Sequence, residues 1–235
     1  MTLTASGERS SAIVARSQFQ QDADALAAAR SRNEIDDAQW FGGMAAIFDM
    51  AYPAGDNPRA QSGFGGGEAG WEAGRRPIAQ LIDRDGRFLD IGCANGYLME
   101  CLVRWSHHRV QPYGLEFAAA VAELARQQRP QWASRIFLGN ALTWQPPMRF
   151  DFVRVELVYV PDERQRDLLR RLLAEVVAPG GRLIVCGYGS PRSGQPPHPV
   201  RRLVRAHGYE PEVEFARRGP EGGEAIIEVA ALRAT

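Results

Sequence analysis

Phe88-Leu89-Asp90-Ile91-Gly92-Cys93-Ala94-Asn95-Gly96-Tyr97 decides the fold of this chain. Four strand-forming residues run into a turn of small residues, and a helix pattern begins at once behind it. Glycine lets a backbone come close to a ligand, and the first N–H groups of a helix lack internal partners, so a turn of this kind is built to meet a bound group. The next predicted strand ends at Glu116, in Tyr113-Gly114-Leu115-Glu116-Phe117. A carboxylate about 20 residues beyond such a turn is placed to accept both hydroxyls of a ribose. Together, turn and carboxylate point to an adenosine-containing ligand.

Outward from this stretch, strand and helix alternate. Strands are expected at 87–91, 110–116, 134–138, 150–157 and 181–187, with helices at 96–106, 117–129 and 162–178. A short helix at 199–207 follows a Gly/Pro-rich loop, and strands 211–217 and 224–232 across a Gly-rich turn read as an antiparallel hairpin. This order predicts an α/β three-layer sandwich of Rossmann-like form: a mostly parallel seven-stranded sheet with helices on both faces and a C-terminal antiparallel hairpin. Before it, residues 1–17 read as a disordered tail and 18–84 as a helical cap or lid, leaving 85–235 as the main domain. Within the cap, Asp36-Asp37 precede a helix through Trp40, Phe41, Met44, Ile47, Phe48 and Tyr52. A Gly-rich loop over 59–70 then leads to a helix at 71–82. Loops of that length inside a compact domain usually serve function.

Two ligand classes share the strand, turn and acid geometry. A nicotinamide site requires G-x-G-x-x-G, which Gly92-Cys93-Ala94-Asn95-Gly96 lacks. The stretch Asp90-x-Gly92-x-Ala94-x-Gly96 instead resembles motif I of the class I S-adenosylmethionine (SAM) methyltransferases, with Ala94 in place of the middle glycine. The resemblance continues in order through Glu116 (the ribose clamp), Gly139-Asn140-Ala141 (the adenine contact), the strand from Phe150 to Glu156 and its exit, and Ala178-Pro179-Gly180-Gly181 before the fifth strand. It implies SAM as cofactor, bound by Asp90, Gly92, Cys93, Ala94, Gly96, Glu116, Phe117, Asn140, Ala141 and Glu156.

For the acceptor the resemblance implies less. Members that methylate amide or ring nitrogens of nucleic acids or proteins often carry N/D-P-P-Y/F after the fourth strand. This chain has Glu156-Leu157-Val158-Tyr159 there, which disfavours that route. Among four histidines, His198 is the candidate base, because it lies in the loop after the fifth strand, where the ligand face opens. Trp40, Phe64 and Tyr159 are the candidate substrate contacts, and Gly63 and Gly65–Gly67 candidate hinges of a lid. The doubled arginines at 75–76, 170–171, 201–202 and 217–218 read mostly as solvated faces.

Composition sets the outer limits. With 28 basic and 28 acidic residues the chain is formally neutral, which argues against a global grip on nucleic acid or an anionic membrane. Every basic residue is arginine, so lysine chemistry is excluded. The three cysteines have no metal spacing, no carboxylate cluster suggests Mg²⁺, and no metal is expected. No apolar run is long enough to span a membrane, and a cytoplasmic protein is expected. The reading is a methyltransferase acting on O or N of a small molecule, with a role in secondary metabolism suggested by composition alone. An RNA or protein methyltransferase and a non-catalytic SAM-binding subunit are the alternatives, and a homo-oligomer is left open.

Overall fold

Phe88 and Leu89 are both fully buried, one on each face of strand β1 (Gly86–Ile91), which is what a parallel strand covered on both sides requires. In the computed structural model, which describes residues 18–19, 21–190, 194–220 and 222–235, this strand lies near the middle of a seven-stranded sheet. The tail expected over 1–17 lies outside the described residues. The other strands are β2 (Val110–Glu116), β3 (Ile136–Leu138), β4 (Phe150–Glu156), β5 (Val177–Tyr188), β6 (Val213–Gly219) and β7 (Gly222–Arg233). Their order is β3-β2-β1-β4-β5-β7-β6. The first five are parallel, and β7 enters antiparallel between β5 and β6. The sequence of strands reverses direction between β1 and β4, and ligands of open α/β sheets bind at such a switch point.

Two helices precede the sheet, α1 (residues 21–31) and α2 (Asp37–Ala51). Asp36 and Gln39 form a capping box at the start of α2. Next comes α3 (Glu68–Ala79), whose Trp71 and Ile78 join Phe88, Phe152 and Ile184 in a core on one face of the sheet. The crossover helix α4 (Tyr97–Trp105) adds Leu98, Cys101 and Leu102 to that core. The second crossover helix is α5 (Ala119–Gln128). On the other face, α6 (Gln165–Arg171) and α7 (Val200–Ala206) bury Leu168, Leu169, Val200 and Val204 against Val153, Val155 and Val185.

Three expected elements differ. Residues 130–135 form a 3₁₀ turn, so β3 begins at Ile136 rather than 134. The helix expected over 162–178 is a 3₁₀ turn (Asp162–Arg164), α6 and a π turn (Leu172–Val176). Most informative is Pro179-Gly180-Gly181, which lies inside β5 as an irregularity and not ahead of it. The register moves from Phe150 opposite Val177 to Phe152 opposite Arg182. Gly180 has φ 68° and donates its N–H to Ala234 O, while a Cβ at Gly181 would crowd the Asp151 carbonyl oxygen at 2.8 Å.

Among the ties between the cap and the sheet, two lie beside the ends of β1 and β2. No side chain of its own caps α5; Asp49 of α2 reaches across and accepts from Ala120 N at 2.8 Å and Val121 N at 3.3 Å. The second tie is Asn95, in the turn between β1 and α4. It is wholly buried, its Nδ2 donates to Pro58 O, Gln61 Oε1 and Gln128 Oε1, and its Oδ1 accepts from Ser62 Oγ at 2.6 Å and from Tyr97 N.

Candidate active site

The turn after β1 has the backbone that its sequence requires. Gly92 and Gly96 have φ 70° and 79°, and Ala94 accepts φ 49°, a left-handed value that costs an L-residue about 1–2 kcal/mol. The strain is held by Glu116, whose Oε2 accepts from Ala94 N at 3.0 Å. Its Oε1 accepts from Phe117 N and Ala118 N. A carboxylate offers about four acceptor positions, so Glu116 keeps one open. Burial pushes its pKa up to about 7 despite these three donors.

Asp90, at the end of β1, is 1% exposed, and burial pushes it up to about 6. Its Oδ1 meets Arg154 Nη1 at 3.2 Å, while Oδ2 is buried with no partner among the described residues. Arg154 is the residue that sequence reading missed. It stands inside β4, directly opposite Asp90 in the register. Its guanidinium also donates to Ile91 O, to Tyr159 Oη at 3.0 Å and to Glu156 Oε1. Tyr159 completes the ring by donating its hydroxyl to Glu156 Oε1 at 2.6 Å. Its own pKa is raised by burial. The Tyr159 ring lies so close over Gly92 that any Cβ there would collide with it.

The other residues singled out in the sequence are distributed around this mouth. Cys93 turns inward against Gly114 and Met99, so only its backbone faces the turn. Phe117 packs edge-on against Phe48 and Phe41 of α2. Asn140 Oδ1 accepts from Leu142 N, and Ala141 is buried beside it. Phe64 packs on Trp71. Trp40 is 5% exposed in the core of the cap with Met44 and Ile47, and has little face to offer an acceptor. His198 is half-buried, with Nε2 unpartnered among the described residues, and burial lowers its pKa.

The doubled arginines divide between exposed and inward-turned members. Arg76 and Arg170 are exposed, but Arg171 is tucked in against Ala141 O and Trp144 O. Arg75 is drawn inward from α3, over the rings of Tyr188, Trp71 and Phe64. The mouth therefore holds two carboxylates, Asp90 and Glu156, and two guanidinium groups, Arg154 and Arg75.

Comparison with known proteins agrees with this geometry. Residues 88–181 match the family model of a methyltransferase domain. Over that stretch the chain is similar to a SAM-dependent methyltransferase domain. No curated protein matches the sequence. Among solved structures, the N-methyltransferase NodS of Bradyrhizobium japonicum WM9, in complex with S-adenosylhomocysteine, is similar at 19% identity and a TM-score of 0.60, over 81% of this chain and 97% of that one. The 1,6-didemethyltoxoflavin-N1-methyltransferase of Burkholderia thailandensis, with 1,6-didemethyltoxoflavin and S-adenosylhomocysteine bound, has 17% identity and a TM-score of 0.60, over 86% and 91%. The [4+2]-cyclase SpnF has 16% identity and a TM-score of 0.51, over 72% and 83%. These likenesses establish the fold.

SAM is the cofactor of the matched family, and the residues around the β1 turn fit it. The free acceptor position of Glu116 suits a ribose hydroxyl, and the orphaned Asp90 Oδ2 is an acceptor waiting for a donor.

Proposed function

We propose that the chain is a methyltransferase that modifies an O or N atom of a small molecule, with residues 85–235 holding SAM and residues 18–84 closing over the acceptor. The observation that carries this reading is Asn95, which bonds the cofactor turn to Pro58, Gln61 and Ser62 of the cap. A cap stitched to the cofactor turn suits an enclosed acceptor better than a long polymer. NodS and the toxoflavin enzyme are by name N-methyltransferases, which supports the same class. A role in secondary metabolism and a cytoplasmic location complete the proposal. The three buried, unpaired cysteines favour the latter.

SAM supplies an electrophilic methyl group. The task left to the protein is to hold the acceptor atom in line with that methyl and to keep water out. We assign cofactor contact to Asp90, Gly92, Ala94, Gly96, Glu116, Phe117, Asn140, Ala141 and Glu156, with Cys93 acting through its backbone. Glu156 would face the methionine ammonium. Tyr159 and Phe64 line the acceptor side. His198 is the proposed base, because a ring whose pKa is lowered is neutral at pH 7 and able to take a proton.

Calorimetric titration with S-adenosylhomocysteine, with NAD in parallel, tests the cofactor. A methyl-transfer screen of small phenols, amines and acids tests the acceptor. Binding of S-adenosylhomocysteine alone supports the proposal. RNA binding that falls steeply with salt would move it to a nucleic-acid substrate. Cofactor binding without turnover on any class of acceptor would leave a non-catalytic subunit.

A further inference from the structure

Among the described residues, Arg75 is a charge in the mouth without a counter-ion. Its Cζ lies 4.1 Å from the Tyr188 ring centroid, 4.4 Å from that of Trp71 and 4.7 Å from that of Phe64. Among the described residues, none forms a hydrogen bond or ion pair with it; Asp90 and Glu156 are both engaged by Arg154. The fully buried arginines behave differently, since Arg129, Arg154 and Arg182 each reach a carboxylate. Aromatic faces attract a guanidinium, but they leave its planar fork of N–H donors unused. Arg75 is half-buried, so burial works against its charge, and a guanidinium in such a place is suited to an anion. Beside it, the Tyr188 hydroxyl is buried with no partner among the described residues. His198 Nε2 is orphaned in the same way, and the His198 carbonyl lies against Gly187, next to Tyr188.

Position along the sheet separates this group from the ribose clamp Glu116, whereas the methionine end assigned to Glu156 on β4 is one strand away, with the Arg154 guanidinium 5.4 Å from the Tyr188 ring centroid. Glu116 and Asp90 end β2 and β1, on one side of β4, whereas Tyr188 ends β5, on the other. At about 4.8 Å between strands, β2 and β5 lie about 14 Å apart. Arg75 itself belongs to the cap. We propose that Arg75, with the Tyr188 hydroxyl as a second donor, receives a carboxylate of the methyl acceptor, so that the substrate class is a small organic acid methylated at another O or N atom. This rests on the methyltransferase reading above. A guanidinium binds a carboxylate through two parallel hydrogen bonds, which fixes the acceptor's orientation as well as its affinity.

The test uses the full chain loaded with S-adenosylhomocysteine and titrated with 4-hydroxybenzoate and anthranilate, against their uncharged amides. The acids are expected to bind about tenfold or more tightly than the amides, a difference of about 1.4 kcal/mol. Arg75→Gln should abolish that preference while leaving S-adenosylhomocysteine affinity within about threefold of the parent. Arg75→Lys keeps the charge without the fork and should retain part of the preference. It also serves if the Gln variant does not fold. A tenfold loss of S-adenosylhomocysteine affinity in both variants would overturn the proposal and assign Arg75 to the cofactor's own carboxylate. Acids and amides binding alike, or no acid binding, would overturn it too. Failure of the parent to bind S-adenosylhomocysteine would instead remove the methyltransferase reading on which it rests.

Discussion

Arg154 and Asp90 are register partners on β4 and β1, and their side chains meet at 3.2 Å with 4% and 1% of their surface exposed. A buried pair of this kind adds little net stability, because desolvation offsets the attraction, but losing one member strands the other. Arg154→Met should therefore cost about 3–5 kcal/mol. In Arg154→Met/Asp90→Asn the loss should be smaller than the sum of the single losses. Urea denaturation of the three variants measures both.

Glu116 is expected to set the pH dependence of cofactor binding. Its pKa is raised from 4.5 to about 7, so the folded protein keeps a proton that the unfolded chain gives up. The stabilising contribution is complete below the unfolded value and is lost as pH rises toward 7. Ribose hydroxyls donate, and they require the ionised form. Affinity for S-adenosylhomocysteine should thus climb from pH 6 to pH 8, by about tenfold per unit at most. Asp90, raised to about 6, adds a change of the same sign. In Glu116→Gln binding should be weak and should lose the step near pH 7, as calorimetry at several pH values would show.

A methyl group at position 92 meets two obstacles, the φ of 70° and the Tyr159 ring above it. Gly92→Ala should cost about 1–2 kcal/mol for the backbone alone. It should also expel Tyr159 from its bonds with Glu156 and Arg154. Thermal unfolding and S-adenosylhomocysteine titration should both fall.

Asn95→Ala removes the bonds to Pro58, Gln61 and Ser62 and leaves Tyr97 N without its acceptor, while the Ser62 hydroxyl can still donate to Pro58 O. The expected cost is about 1–3 kcal/mol, felt in the cap loop. Hydrogen exchange should accelerate at Gln61, Ser62 and Gly63 while the amides of β1 and β4 stay protected.

His198→Ala should spare S-adenosylhomocysteine binding and slow turnover. An unchanged rate on an identified acceptor would remove His198 as base and leave alignment and water exclusion to do the catalysis.

The cofactor turn was legible in the sequence because one short run fixes it. Gly92 and Gly96 must turn left-handed, Phe88 and Leu89 must be buried on both faces, and Glu116 must end the neighbouring strand. The Pro179-Gly180-Gly181 bulge was read as a turn because its partner is Ala234, which lies far away in sequence. Arg154 left a trace that was passed over. In Phe152-Val153-Arg154-Val155-Glu156 every second residue shares a face, so Arg154 had to sit between Phe152 and Glu156 in a buried strand. Arg75 and Arg76 are neighbours with opposite fates, and only the packing of α3 on Tyr188 tells them apart. Asp49 gave no local sign, because the helix it caps starts at Ala119.

The placement of β7 has a consequence for how this molecule comes into being on the ribosome. Its residues 222–233 lie between β5 and β6, so the hydrogen bonds along that edge of β5 wait for the last of the seven strands to be made. Until then β5 presents Leu183, Ile184 and Val185 beside an unpaired edge. Closure of that half of the sheet therefore follows synthesis of the other six strands, and the growing chain's exposure to chaperones and to self-association is set by how fast β7 slots home.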